Sequence, residues 1–167
     1  MNNQKGFTLV ETIITLTIFS FLVTAVLLVY AEGYLNYAKN NQKIEVQENL
    51  RFALSKMSRE IRQASSLNKP SDSNPGIDTN NDGIPSNDCD KITFSLNGKT
   101  ISYYYDFKGK EIQRSVYGEG NNPVASHVTG LEFQYDSNAK TVTIIIKGKR
   151  LNSGEISAIT RVLIRSL

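Results

Sequence analysis

The sequence predicts an α+β protein in which one long N-terminal helix packs on an antiparallel β-sheet formed by the C-terminal part of the chain. Three patterns predict this fold. A long uncharged run near the amino end has the length of a membrane-spanning helix, and an apolar stripe with helical spacing follows it. Short alternating segments separated by turn residues then occupy the rest of the chain.

The composition excludes several classes of function. The 167 residues suffice for one domain and an appendage, and the net charge of +3 falls well short of the clustered basic surface of a nucleic-acid-binding protein. One cysteine, Cys89, and one histidine, His127, exclude the usual Cys/His zinc site and an internal disulfide. No nucleophile elbow, P-loop or dinucleotide-binding fingerprint occurs, so we expect no enzymatic activity.

The first half of the predicted helix is a candidate membrane anchor. Residues Thr12 to Ala31 carry no charge, and a 20-residue helix is about 30 Å long, the thickness of a bilayer core. Lys5 precedes the run, which predicts a single pass with the N-terminus in the cytoplasm and the bulk of the chain outside it. The run is too long for a typical cleaved secretory signal, and its apolar character on all faces disfavours a buried core helix.

The residues that lead into this run resemble a known processing site. Lys5-Gly6-Phe7-Thr8-Leu9-Val10-Glu11 is similar to the cleavage site of type IV pilins and type II secretion pseudopilins. The resemblance implies that residues 1–6 are a leader and that a membrane prepilin peptidase cuts after Gly6 and methylates the new amine of Phe7. It also implies that residues 7–30 form the transmembrane and assembly helix.

Glu11 lies at the edge of the uncharged run, where an ionisable group costs on the order of a few kcal/mol unless it has a partner. The resemblance makes Glu11 the assembly glutamate of the family. Because the freed amine of Phe7 is cationic, pairing it with Glu11 of a neighbouring subunit satisfies both charges and sets the axial stagger of a filament. The alternative is that Glu11 only marks the membrane interface.

The second half of the helix, residues 31–66, is predicted to be amphipathic. Apolar residues recur at intervals of three and four and define one face: Val46, Leu50, Leu54, Met57, Ile61 and Ala64. We expect this face to pack on the sheet. Arg59 and Arg62 flank it and either meet carboxylates on a neighbouring subunit or are solvated. This stretch resembles the minor pilin W and pseudopilin J group, and also the competence pseudopilins of Gram-positive bacteria.

Residues 67–90 form an Asp-rich loop that holds three of the four prolines and a possible calcium site. Oxygen-bearing side chains alternate ahead of Gly83, as at the start of a calcium-binding loop. The candidate Ca²⁺ ligands are Asp78, Asn80, Asp82, the carbonyl of Ile84, Asp88 and Asp90. An EF-hand would have glutamate where Cys89 stands, so the spacing more closely resembles thrombospondin type 3 repeats. The alternative is a surface linker held by Asx turns.

Residues 91–167 predict a meander of five to seven antiparallel strands. Asn97-Gly98 is a strong signal for a two-residue hairpin, whereas Gly118–Asn122 is predicted to be a loop. Successive residues of the run Tyr103–Tyr105 should point to opposite faces, which favours packing in the sheet over stacking on sugars or bases. The strand pattern Val128–Tyr135 again resembles the W and J group.

The resemblance as a whole implies a minor pilin or pseudopilin that is processed by prepilin peptidase and held in the cytoplasmic membrane, with its head outside the cytoplasm. Its partners would be other pilin or pseudopilin subunits in a type IV pilus, a secretion pseudopilus or a competence pseudopilus. Nucleic acid would be a partner only through the assembled machine. The alternative hypothesis is an unprocessed, membrane-anchored extracellular module that binds a ligand.

Overall fold

The computed structural model describes residues 8–73, 89–151 and 153–165. Its elements are α1 (Leu9–Arg62), β1 (Ser66–Leu67), β2 (Lys91–Leu96), β3 (Lys99–Asp106), β4 (Glu111–Val116), β5 (Gly120–Ala125), β6 (Val128–Asp136), β7 (Thr141–Gly148) and β8 (Ile156–Leu163). The chain separates into two compact units, Met1–Asn40 and Asn41–Leu167. The predicted α+β class, with one long helix and antiparallel sheets, is confirmed.

The first unit, in its described part, consists of the amino-terminal portion of α1. Its apolar side chains are exposed: Phe21 is 70 % exposed and Val29 is 72 % exposed. α1 contains a stretch that is long and apolar enough to cross a membrane, and none of that stretch is buried. This exposure argues against the alternative of a core helix, because a core helix would be covered by other elements of the chain.

The second unit contains the rest of α1, whose predicted apolar face is buried. Four residues of this face are fully inaccessible to solvent: Val46, Leu50, Met57 and Ile61. Leu54 packs at the margin of the core, and Ala53 occupies the buried position beside it. The helical period of 3.6 residues explains why Ala53 is fully buried and Leu54 only partly, because residues 53, 57 and 61 form one row along the helix.

The helix ends at Arg62, four residues before the predicted boundary at residue 66. The amides of Gln63 and Ala64 each donate to the carbonyl three residues earlier, which tightens the last turn. The amide of Ser65 then donates to the carbonyl of Ser95 at 2.8 Å, so the chain leaves the helix to pair with β2. Pairing with a strand 30 positions away is a tertiary effect that helical periodicity does not reveal.

The strands divide between two antiparallel sheets, not the single meander that was predicted. Five strands follow the order β1-β2-β3-β4-β5, and three follow the order β6-β7-β8. The chain leaves the first sheet at His127, whose φ of 59° lies in the left-handed region. Alternation of apolar and polar residues identifies strands but does not reveal which strands pair, so the division into two sheets was missed.

Two kinds of turn join three of the hairpins. Asn97 and Gly98 have φ angles of 51° and 76°, as a type I′ turn between β2 and β3 requires, which confirms the predicted hairpin. In the β3–β4 and β6–β7 hairpins, Asp106 and Asp136 each accept hydrogen bonds through Oδ1 from the backbone amides two and three residues further on. These Asx turns hold the two longer connections in the same way.

The prediction of a loop over Gly118–Asn122 was wrong in part, because β5 begins at Gly120. The turn itself is short and is closed by the bond from the amide of Glu119 to the carbonyl of Val116. β5 is the last strand of its sheet, and an edge position tolerates Pro123, which cannot donate to a neighbouring strand. The Gly/Asn/Pro composition of an edge strand therefore looked like a loop.

The tyrosine run on β3 supplies part of the core. Tyr103 and Tyr105 are buried, whereas Tyr104 between them is half-buried, so the predicted packing of alternate tyrosines in the sheet is confirmed. The ring of Tyr103 stacks on Phe94 with centroids 6.1 Å apart, and the hydroxyl of Tyr105 donates to the carbonyl of Val128 at 3.1 Å. This hydrogen bond joins the two sheets, and it gives the buried hydroxyl of Tyr105 a partner.

Candidate functional site at the amino end of the long helix

Thr8 and Glu11 form a capping box at the start of α1. The amide and the hydroxyl of Thr8 both donate to Glu11 Oε2 at 3.2 Å, and the amide of Glu11 donates to Thr8 Oγ1 at 3.3 Å. Reciprocal bonds of this kind satisfy two of the amides that a helix leaves without partners in its first turn. The carboxylate also lies in the first turn of the helix, where the helix dipole favours a negative charge.

Of the three residues predicted to act in processing and assembly, the structure places only Glu11, because Gly6 and Phe7 lie outside the described residues. Thr8 is the residue that sequence reasoning missed. Thr-x-x-Glu ahead of an apolar run is the pattern of a capping box, so the signal was present in the sequence. The observed bonds show that a carboxylate at position 11 reaches back to the backbone of the residue that follows Phe7.

The uncharged run that follows contains serine and threonine hydroxyl groups, and each of these donates a hydrogen bond within the helix. The five hydroxyls donate to backbone carbonyls three or four residues earlier: Thr12 to Thr8 at 3.3 Å, Thr15 to Glu11 at 2.7 Å, Thr17 to Ile13 at 2.8 Å, Ser20 to Thr17 at 2.8 Å and Thr24 to Ser20 at 2.8 Å. A polar group without a partner is costly in hydrocarbon. The serine and threonine hydroxyls of this stretch therefore have partners within the helix and would need none from a bilayer.

The predicted calcium site falls almost entirely outside the described residues. Asp78, Asn80, Asp82, Ile84 and Asp88 are not among them, so the calcium prediction stays a prediction.

The sixth candidate ligand, Asp90, is described and is fully buried. Its Oδ1 accepts the amide of Ser73 at 2.5 Å, and its Oδ2 accepts the hydroxyl of Ser73 at 2.6 Å. A backbone bridge between Ser71 and Lys91 lies beside this pair, so both ends of the Asp-rich loop are fixed to the start of β2. Burial raises the pKa of Tyr105 nearby, and the charges of Asp106 and Asp90 raise it further.

Comparison with known proteins identifies the amino end alone. Residues 1–27 match the family model described as the prokaryotic N-terminal methylation motif. No curated protein and no solved structure matches the chain. The matched range contains Gly6, Phe7, Thr8 and Glu11 together with most of the uncharged run. In this part the chain is therefore similar to pilin-like proteins that carry a prepilin-type methylation motif.

Proposed function

We propose that this chain is a pilin-like structural subunit, without enzymatic activity of its own, from which prepilin peptidase removes residues 1–6 before methylating the amine of Phe7. The observation that carries the proposal is the match of residues 1–27 to the methylation motif. The exposed apolar stretch of α1 supports a single-pass anchor in the cytoplasmic membrane. Lys5 on the amino side of that stretch supports a head outside the cytoplasm.

The capping box suggests how Glu11 serves both the single subunit and the assembly. In the single chain its carboxylate accepts bonds from the amide and hydroxyl of Thr8, which are neutral donors. In the assembly it would bind the cationic amine of Phe7 of a neighbouring subunit. Because the amine of Phe7 carries a positive charge and the two donors of Thr8 do not, the new pair adds an attraction between opposite charges, and this exchange of partners favours the assembled state.

We place the subunit among the minor pilins or pseudopilins of a type IV pilus, a secretion pseudopilus or a competence pseudopilus. The support comes from the resemblance of the amphipathic stretch to the W and J group. The 54 residues of α1 also contain no proline, unlike the kinked helix of many major pilins. Its partners are then other pilin or pseudopilin subunits and the prepilin peptidase.

Substitution of Glu11 tests the assembly step. We expect Glu11→Ala to be cleaved and methylated normally, while the fraction of the chain recovered in filaments sheared from cells falls by about tenfold or more, equivalent to about 1.4 kcal/mol of subunit association. Glu32→Ala is the matched control, since it removes the same charge from an exposed position of the same helix beyond the uncharged run. Equal incorporation of Glu11→Ala and wild-type chain would contradict the proposed role. A wild-type chain that is never processed or incorporated would instead support the unprocessed, anchored module.

For the Asp-rich loop we propose calcium binding, which rests on the D-x-N-x-D-G spacing of Asp78, Asn80 and Asp82 before Gly83. Calorimetric titration of the full chain in detergent micelles with CaCl₂ tests it. Binding that is lost in Asp78→Asn and Asp82→Asn, but kept in the Asx-turn variant Asp136→Asn, would support the site. Absence of binding to the wild-type chain would leave the surface-linker interpretation.

A further inference from the structure

A basic groove lies at the carboxyl end of α1, in the second unit of the chain. It has a volume of about 420 Å³ and is lined by Ser55, Ser58, Arg59, Arg62, Gln63 and Arg165. Five of these residues belong to the last turns of α1 or follow it directly, and Arg165 comes from the segment after β8. The fold therefore brings together side chains from the helix and from the far end of the chain.

The charge of this groove is of one sign. All three of its charged lining residues are arginines, and neither aspartate nor glutamate lines it. Ion pairs in the described parts of the chain join Lys99 to Glu119, Arg114 to Glu60 and Arg150 to Glu45, and none of them involves a groove arginine. Three guanidinium groups around one space repel one another, so the groove favours an anionic occupant.

The helix end accounts for only part of this arrangement. Cations in the last turn of a helix interact favourably with its carbonyl groups, which explains Arg59 and Arg62 without any ligand. Arg165 does not belong to α1, so its position beside them lies outside that explanation. The same space also contains neutral hydrogen-bond donors, which are the side chains of Ser55, Ser58 and Gln63.

We propose that this groove binds a phosphate group. The planar fork of arginine matches the oxygens of phosphate, and Arg, Ser and Gln are side chains that commonly bind phosphates. A phosphate offers more acceptor oxygens and more negative charge than a carboxylate, so it uses more of the donors that line the groove. The volume of about 420 Å³ lies within the range of small-molecule sites. A duplex nucleic acid would need a more extensive basic face than a net charge of +3 provides.

The test uses the full chain in micelles of an uncharged, phosphate-free detergent, titrated calorimetrically with inorganic pyrophosphate at low salt. We expect saturable binding that weakens about tenfold or more in Arg59→Gln and in Arg165→Gln, since each loses a charge-assisted bond. Arg51→Gln is the matched control, because Arg51 is an exposed arginine of the same helix that does not line the groove. Unchanged thermal unfolding midpoints in all three variants would show that the fold is intact.

Further titrations distinguish the source of the phosphate. Binding to vesicles of phosphatidylglycerol but not phosphatidylcholine, with the same dependence on Arg59 and Arg165, would support the proposal and identify a lipid headgroup. Binding of pyrophosphate alone would support it and identify a free phosphate compound. The proposal would be overturned by no pyrophosphate binding, by equal binding by the variants and the wild-type chain, or by groove-dependent binding of an Asp-rich peptide in place of pyrophosphate. Binding of duplex DNA that depends equally on Arg51 would also overturn it, because such binding would involve an extended face. None of these outcomes depends on processing at Gly6.

Discussion

Arg114 on β4 donates a hydrogen bond from Nε to Oε2 of Glu60 on α1 over 3.0 Å, across 54 positions of sequence. The hydroxyl of Tyr103 on β3 donates to the same oxygen at 2.9 Å. The side chains of Arg114 and Glu60 are only 20 % and 12 % exposed. Burial alone would lower the pKa of Arg114, but the hydrogen bond and the charge of Glu60 outweigh it, so this pKa is raised. One carboxylate oxygen thus joins the helix to two strands.

Replacing Glu60 with glutamine should destabilise the head. Glu60→Gln keeps the shape of the side chain but leaves the largely buried guanidinium of Arg114 without its counter-charge. We expect a loss of about 1–3 kcal/mol in the free energy of unfolding, measured by urea denaturation of the full chain in micelles. Glu48→Gln, at an exposed position of the same helix, should change stability by less than about 0.5 kcal/mol. Equal effects of the two substitutions would contradict this account of the Glu60 contacts.

Tyr103 should make stability depend on pH above about 10. Burial raises the pKa of this tyrosine far above its ordinary value of 10.0, and the charge and hydrogen bond of Glu60 raise it further. The unfolded chain therefore loses the hydroxyl proton of Tyr103 at a lower pH than the folded chain does. The contribution of Tyr103 to the free energy of unfolding is accordingly present below pH 10 and declines as the pH rises above that value.

Unfolding free energies of Tyr103→Phe and wild-type chain, measured between pH 8 and pH 11, test this dependence. We expect the unfolding free energy of Tyr103→Phe to decline less steeply with rising pH than that of the wild-type chain, because the variant lacks the hydroxyl proton of Tyr103. Tyr117→Phe is the control, since Tyr117 is 90 % exposed, and its decline should match that of the wild-type chain. Parallel curves for Tyr103→Phe and the wild-type chain would show that this tyrosine is not responsible.

Gly148 marks a close approach between β7 and α1. A Cβ at this position would lie 3.0 Å from the carbonyl oxygen of His127, 3.0 Å from Val46 Cγ1 and 3.2 Å from Leu50 Cδ2. Because one of these neighbours is backbone, Gly148→Ala should cost about 1–3 kcal/mol of unfolding free energy. Gly33→Ala, where nothing lies within 4 Å of the added Cβ, should not destabilise the chain. A Gly148→Ala variant as stable as the wild-type chain in urea denaturation would refute this packing.

Thr8 should hold the first turn of α1 before assembly. Thr8→Ala removes the hydroxyl that both donates to Glu11 and accepts from its amide, and loss of such a cap costs about 1 kcal/mol. Amide hydrogen exchange over residues 9–12, measured on the full chain in micelles, should become several-fold faster. Thr8→Ser retains the hydroxyl and should exchange at nearly the wild-type rate. Identical exchange in the alanine and serine variants would rule out the capping box in the micelle.

The features that the sequence predicted correctly are those decided by neighbouring residues. The buried face of α1 follows from helical spacing, and the hairpin at Asn97-Gly98 follows from a turn that needs two positive φ angles. The processing motif is likewise contiguous, and the match of residues 1–27 supports it. The capping box at Thr8 and Glu11 was equally local, and its pattern was present in the sequence.

Apart from Thr8 of the capping box, the features that sequence reasoning missed depend on contacts between distant segments. The contact of Glu60 with Arg114 spans 54 positions, and the groove places Arg165 beside Arg59. The same holds for the end of α1 at Arg62, because the residues after it pair with β2. Local patterns identify elements, whereas pairing energies between elements decide these arrangements.

Mass spectrometry of the N-terminal peptide from native membranes shows directly whether the chain is processed after Gly6. We expect a chain that begins at Phe7 and carries one additional methyl group. An intact Met1, in cells whose prepilin peptidase processes other substrates, would refute processing and leave the unprocessed, membrane-anchored module as the function of this chain.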